Sequence, residues 1–297
     1  MSLNLELLSK KFNKTFMSYK KIYDGFDNDI FILIADDNTK YIYRKSLRNK
    51  SNEDIIFEKN FSDYLLKKNI PVRRVLYPGA ESLLEFCDGT SCSVEQISEK
   101  MAFNAGTMLA RFHDAAKGFD IPPLPNRKLE SELLRAIRIK DKLQKKYTNG
   151  TDFISIVEHL LQSKFLKTSD ICIIHNDFRV QNVLFQDENI SAILDFDWSC
   201  VGNPLKDLGH ALVEWSFPDG GSFNQKIFKS FLYGYVMSKK DVDLDALKYW
   251  IEFSCISDTA TYLCDTINDT PSGREILSWM FGKYLFFNGQ DIAKLTE

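Results

Sequence analysis

Several features that would direct a chain to a membrane, to nucleic acid or to an oxidising compartment are missing here. No apolar run approaches the roughly 20 residues that a bilayer-spanning helix needs, and no cationic start followed by an apolar stretch opens the sequence. Basic residues are not in excess: 38 Lys and Arg face 41 Asp and Glu, for a formal charge of −3. A phosphate backbone therefore meets no attracting field, which argues against a DNA or RNA partner. The cysteines number only 6, with no C-x-x-C pair and mostly apolar neighbours, so they read as reduced buried thiols of a reducing cytosol. No internal repeat or low-complexity tract occurs. The expectation is a cytoplasmic protein with no membrane and no nucleic-acid partner.

What is present can bury a large core: 297 residues, 44% of them hydrophobic, suffice for one large or two smaller domains. Aromatic and β-branched residues dominate 16–24 and 28–35, which meet at Gly25-Phe26-Asp27-Asn28 and predict a hairpin. A third strand over 40–46 follows the turn-forming Asp36-Asp37-Asn38. Ser51 or Asn52 can cap a helix over 53–68, which stops at Asn69 before Pro71. Strands over 72–77 and 81–86, split by Pro78-Gly79, complete a small antiparallel sheet with one inserted helix.

Beyond Cys87-Asp88-Gly89 the pattern turns helical. Helices are predicted over 93–117, with Ser93 and Gln96 as a capping pair, and over 128–146, 152–166, 204–215, 222–237, 244–265 and 272–289. Two domains follow, 1–87 and 88–297.

Between them in character lies ICIIHNDFRVQNVLFQDENISAILDFDWSCVGNPLKD, residues 171–207. It reads as a short strand, a polar loop with His175, Asp177 and Asn182, an apolar hairpin over 183–194, and a carboxylate at Asp195. Asn182 and Asp195 are hard oxygen donors of the kind Mg²⁺ takes, usually with substrate phosphates completing its shell. Asp177 is then available to accept a proton from a substrate hydroxyl. A base, two metal ligands and a hairpin between them suit phosphoryl transfer. His175 suits a loop-holding hydrogen-bond role better than a titrating one.

HNDFRVQN, ILDFDW and GNPLKDL together resemble the family of aminoglycoside phosphotransferases and choline kinases. The resemblance implies a bilobal protein kinase-like fold of the α+β class, with a small antiparallel-sheet N-lobe and a larger, mainly helical C-lobe. It implies transfer of the γ-phosphate of ATP, with Mg²⁺, to a small-molecule hydroxyl acceptor. By the same resemblance Asp177 is the base, Asn182 and Asp195 hold the metal, and Asp207 ties a helix start to the loop. Arg179 stands where many relatives carry His. Gly25 to Asn28 would cover the nucleotide, with one glycine where the family often has a pair. Arg44 aligns with the usual phosphate-binding lysine and Glu58 with its helix partner, although Lys45, facing the other side, is the alternative cation. Glu85 to Cys87 would be the hinge that meets the adenine edge, and His113 a packed helix residue.

The acceptor is expected to be an amine-bearing alcohol or an aminoglycoside, since Glu214, Trp215, Asp219, Glu252, Asp258 and Asp265 could receive an ammonium. A nucleotide-binding pseudokinase scaffold is the second reading, motivated by Arg44 and the thin glycine loop. The absence of D-F-G and A-P-E triplets after the hairpin argues against a protein kinase.

Overall fold

A computed structural model of the chain describes residues 3–24, 28–120, 128–218, 221–239, 242–276 and 279–296. Its contacts divide the chain into two compact units that are not two consecutive stretches. The first holds the chain up to Thr90 and takes back Val183–Asp197; the second holds most of the remainder.

In the first unit, α1 (Leu5–Phe12) precedes β1 (Phe16–Asp24), β2 (Asn28–Ala35) and β3 (Lys40–Ser46). Then come α2 (Asn52–Lys67), β4 (Val75–Tyr77) and β5 (Glu81–Glu85). The strands form one antiparallel sheet in the order β1-β2-β3-β5-β4. Alternation along β2 sorts its side chains. Phe31, Leu33 and Ala35 join Phe12, Phe16, Tyr43 and Leu83 in the core under α1. Ile30 and Ile32 lie against Ile42, Val75, Leu84 and Phe86 in a separate cluster.

Sequence reading assigns no element before Phe16, yet α1 is there. Asn4 caps it by accepting from Leu7 N, Leu8 and Phe12 supply its buried side, and Asn13 ends it in a left-handed conformation. Of the cap candidates for α2, Ser51 is the one used, in a reciprocal capping box with Asp54. The strand expected from residue 72 begins only at Val75. Val72 instead bridges Ile193 in parallel, with Ile193 N donating to Pro71 O at 2.8 Å and Arg73 N to Ile193 O at 3.1 Å. The hairpin of β7 (Val183–Gln186) and β8 (Asn189–Ile193) is thereby stitched to this unit, and Thr90 pairs with Phe185 beside it.

The second unit contains α3 (Glu99–Ala116), α4 (Ser131–Arg138), α5 (Lys140–Lys146) and α6 (Gly150–Leu161), then β6 (Cys172–Ile174). After the hairpin it resumes with β9 (Cys200–Gly202), α7 (Pro204–Ser216), α8 (Gln225–Ser238), α9 (Leu244–Thr266), α10 (Trp279–Asn288) and α11 (Ile292–Thr296). β6 and β9 form a short antiparallel ladder.

Several predicted helices are shorter or divided. The one over 93–117 splits because Ser93 caps only a single turn, Val94–Gln96, and Ser98 opens α3 afresh by accepting from Met101 N. The one over 128–146 breaks at Ile139, whose φ of −112° is not helical. The one over 152–166 ends at Leu161, and Ser163 then starts a separate turn. Residues 272–276 are not helical, and α10 starts at Trp279.

All six non-glycine residues with positive φ among those described are Asn or Asp: Asn13, Asn38, Asn69, Asn176, Asp187 and Asp195. These are the side chains that tolerate that region best. No helix among the described residues is long and apolar enough to cross a membrane, and all six cysteines are free thiols.

Helices α3 and α8 approach so closely that each offers the other a glycine. A Cβ on Gly106 would lie 1.9 Å from Phe231 O, and one on Gly234 would lie 2.1 Å from Phe103 O. Gly106→Ala is expected to force the helices apart and to cost about 1–3 kcal/mol, read as a lower denaturant midpoint. An unchanged midpoint would mean that the crossing is looser than described.

Candidate active site

The loop after β6 is held through its backbone by one buried carboxylate. Asp207, in the first turn of α7, accepts from His175 N at 2.7 Å and from Asn176 N at 2.8 Å. His113 Nε2 donates to the same carboxylate at 3.1 Å, and its Nδ1 meets the Tyr235 hydroxyl at 2.9 Å. Burial would raise the Asp207 pKa, but the His113 hydrogen bond and the charges nearby hold it at about 2. Asn203 and Pro204 open α7 here, the Asn203 side chain accepting from Leu205 N at 2.8 Å.

His175 is fully buried, and its Nδ1 accepts from Asp177 N at 3.3 Å, so the imidazole shapes the loop from inside. Asn176, in a left-handed conformation, donates to Trp198 O at 3.1 Å and accepts from Lys206 Nζ. The strained residue thus turns the chain so that Asp177 leaves the core half-exposed. Asn182 Nδ2 donates to the Asp177 carboxylate at 2.7 Å and to Asp177 O at 2.9 Å. Arg179 Nε lies 3.4 Å from the other carboxylate oxygen.

The first unit gathers a second set of charges. Arg44 and Glu58 form a buried pair at 2.6 Å. Asp197 accepts from Asn28 Nδ2 at 3.1 Å and from Lys50 Nζ, and Arg44 lies 3.7 Å away. Lys50 also reaches Glu58, at 3.3 Å. Despite burial, Arg44 and Lys50 hold Asp197 well below the usual carboxylate range. Two acids and two bases cancel there, which leaves Asp195 uncompensated. Burial first, then the Asp197 charge, pushes Asp195 up to about 7. Its φ of 59° is left-handed, and its carboxylate accepts from Asp197 N at 3.0 Å.

A carboxylate so disfavoured in its charged form is a place where a cation is welcome. The donor types also fit Mg²⁺: Asp195 supplies carboxylate oxygen, and Asn182 keeps its amide oxygen because its Nδ2 faces Asp177. The chain enters the open end of the β7–β8 hairpin from Asn182 and leaves it towards Asp195, with Val183 opposite Ile193.

Gly25 lies outside the described residues. Glu85 closes β5 opposite Tyr41, and its N–H is committed to Arg74 O at 2.9 Å, so that amide is not one that meets a nucleotide. Cys87 follows, its thiol raised by burial with Arg73 opposing. Lys50 and Asp197 are not singled out by sequence reading. Asp197 had a signal, the D-F-D repeat that sets a second carboxylate two residues after Asp195; Lys50, in a loop before a helix cap, had none.

Residues 18–239 match the phosphotransferase enzyme family. The chain belongs to that family. It is a small-molecule kinase with a hydroxyl acceptor. The homoserine kinase of Rhizobium rhizogenes is 25% identical over 277 residues, covering 87% of this chain and 84% of the relative. That of Bartonella henselae is 23% identical, covering 95% and 92%. Among solved structures, the choline kinase of Cryptosporidium parvum superposes with a TM-score of 0.66 at 12% identity, over 94% of this chain and 90% of that one. An aminoglycoside phosphotransferase in complex with gentamicin gives 0.64 at 19% identity, over 100% and 99%. The kinase-like fold, with its small antiparallel sheet and helical remainder, is the family's.

Within this phosphotransferase the residues proposed to attract an amine are mostly committed elsewhere. Glu214 pairs with Lys283 at 3.0 Å, Asp258 with His210 at 3.2 Å, and Asp265 with Arg135 at 2.6 Å. Trp215 is core, its Nε1 donating to Phe178 O at 2.9 Å. Glu252 is half-buried, which raises its pKa, with Lys248 at 4.0 Å. Asp219 lies outside the described residues.

Proposed function

We propose that this chain moves the γ-phosphoryl group of ATP to the hydroxyl of a small acceptor, with Asp177 as the base. One observation carries the reading: the Asp177 carboxylate is fixed by Asn182 on a loop whose backbone hangs from Asp207. A base held this firmly keeps its angle to an incoming hydroxyl, which is where positioning accelerates transfer.

Arg44, oriented by Glu58, would meet the α- and β-phosphates, and Asn28, which donates to Asp197, would border them. The partly buried Ile30, Ile32 and Phe86, packed against Ile42 in one apolar cluster, would meet the adenine beside the hinge residues 85–87. Asn182 and Asp195 would hold Mg²⁺, which when bound would neutralise charge on the phosphates. The relatives named homoserine kinases make L-homoserine the first acceptor to try, ahead of choline-like alcohols and aminoglycosides.

ADP release measured with each acceptor class tests the transfer. Asp195→Ala is expected to abolish the dependence of ATP affinity on Mg²⁺ in a calorimetric titration; metal-dependent affinity equal to that of the wild type would sink the metal assignment. ATP binding without turnover on any hydroxylated acceptor would favour a nucleotide-binding scaffold instead.

A further inference from the structure

Lysine is a costly residue where Lys206 stands. It is the third residue of α7, at the positive end of the helix dipole, and it is only 3% exposed. Two carboxylates, Asp207 and Asp258, feel its charge. Yet among the described residues Nζ bonds to neither, and its one hydrogen bond goes to the neutral side chain of Asn176. Charge balance alone does not explain that choice. Asp207 already accepts from His113 and from two backbone amides, and Asp258 already faces His210.

Asn176 is a residue that needs holding. Its φ of 64° is left-handed, a conformation that any side chain with a Cβ adopts at a cost. Three of its atoms are gripped: N donates to Asp207 at 2.8 Å, Nδ2 donates to Trp198 O at 3.1 Å, and Oδ1 accepts from Lys206. Lys206 governs the second of these through the third. An ammonium has donors only, so it admits the amide oxygen and turns Nδ2 towards Trp198. The next residue is Asp177, whose N donates to His175 Nδ1 at 3.3 Å and whose carboxylate accepts from Asn182. A side chain free to rotate at 176 would loosen the backbone that enters Asp177, and a misplacement of about 1 Å can cost on the order of a hundredfold in rate.

We propose that Lys206 is a positioning residue for phosphoryl transfer: by fixing the Asn176 amide it holds the left-handed turn that presents Asp177. This rests on the reading of Asp177 as the base, but the lock between Lys206 and Asn176 can be measured without turnover.

The test is a double-mutant cycle on the full chain with Lys206→Met, Asn176→Gly and the pair. Methionine keeps an unbranched apolar stem without the donor, and glycine takes positive φ with no side chain to hold. Two quantities are read. One is hydrogen exchange at the amides of residues 175–177 in the protein without nucleotide, and the other is kcat and KM for ATP from ADP release with L-homoserine as acceptor. Lys206→Met is expected to speed exchange at those amides and to lower kcat by about tenfold to a hundredfold, with KM for ATP within about twofold of wild type. In the Asn176→Gly background the same substitution is expected to change exchange and kcat by less than about twofold, because no amide is left to hold. Its urea midpoint should rise there, since Asn176→Gly leaves a buried ammonium without a partner. Lys206→Gln, which keeps a donor without the charge, is expected to lie between wild type and Lys206→Met, and it replaces the latter in the cycle if methionine prevents folding.

Equal effects of Lys206→Met in the two backgrounds would overturn the lock, and so would a rise in KM for ATP with kcat unchanged. Coupled exchange together with an active Asp177→Asn would support the lock and remove Asp177 as the base. An inactive Asp177→Asn together with independent effects would do the reverse. Where L-homoserine is not turned over, the exchange cycle decides alone.

Discussion

Asp177→Asn is expected to lower kcat by about 10²–10⁴-fold while leaving the fold and nucleotide binding intact. The expectation follows from how the side chain is held. Asn182 donates to the Asp177 carboxylate from Nδ2, and an Asn at 177 can accept the same bond through its own amide oxygen. What the substitution removes is the second oxygen's ability to take a proton. The loop itself is suspended from Asp207 through the amides of His175 and Asn176, which the change does not touch. Thermal shifts with ADP and Mg²⁺ should therefore match those of the wild type, and turnover should not. Turnover within about tenfold of wild type would mean that Asp177 is not the base, since general-base contributions exceed that.

Asp207→Ala is expected to cost about 3–5 kcal/mol, the penalty for breaking a buried charged network from one side. His113 would lose its partner, and two buried backbone N–H groups would be left without an acceptor. The melting temperature should fall on the order of 10 °C. Tyr235→Phe makes the contrasting control: it removes only the hydroxyl on the far side of His113 and should cost about 1 kcal/mol.

The same carboxylate gives a pH signature. Its pKa in the folded protein is about 2, below the ordinary 3.8. A depressed carboxylate stabilises the fold above its unfolded value and ceases to do so as pH falls through the folded one. That contribution, on the order of 2 kcal/mol, should be lost between about pH 4 and pH 2. Stability against urea measured across this range should fall less steeply for Asp207→Asn than for the wild type. Parallel curves for the two proteins would show that Asp207 is not the group responsible.

Strands and their turns were legible because local chemistry decides them. The edges of β1, β2 and β3 come where the sequence places them, since aromatic and β-branched residues alternate and Asn and Asp mark the turns. Helix ends were less legible. Ser93 and Ser98 both carry capping chemistry, and only the packing of α3 decides that the long helix starts from the second. Val72 has the composition of a strand residue, yet it pairs with Ile193 of the hairpin, more than a hundred residues away, rather than extending β4. Such a partner leaves no trace in a local pattern.

The loop residues His175, Asp177 and Asn182 were recognisable by type and spacing, because the donors a phosphoryl site needs are few and chemically distinctive. The sequence by itself determined the reaction class and the edges of β1, β2 and β3, and it marked Asp177, Asn182 and Asp195 as the residues proposed to accept a proton and to hold a hard cation. Only tertiary structure decided that Lys50 and Asp197 join Arg44 and Glu58, leaving Asp195 without a counter-charge. It alone decided that Glu214 and Asp258 already face Lys283 and His210, and that the Nδ1 of the buried His210 ring has no hydrogen-bond partner. The physical reason is that charge compensation and burial depend on which groups meet in space, and residues 44, 50, 58 and 197, or 206, 210, 258 and 283, meet only once the chain has folded.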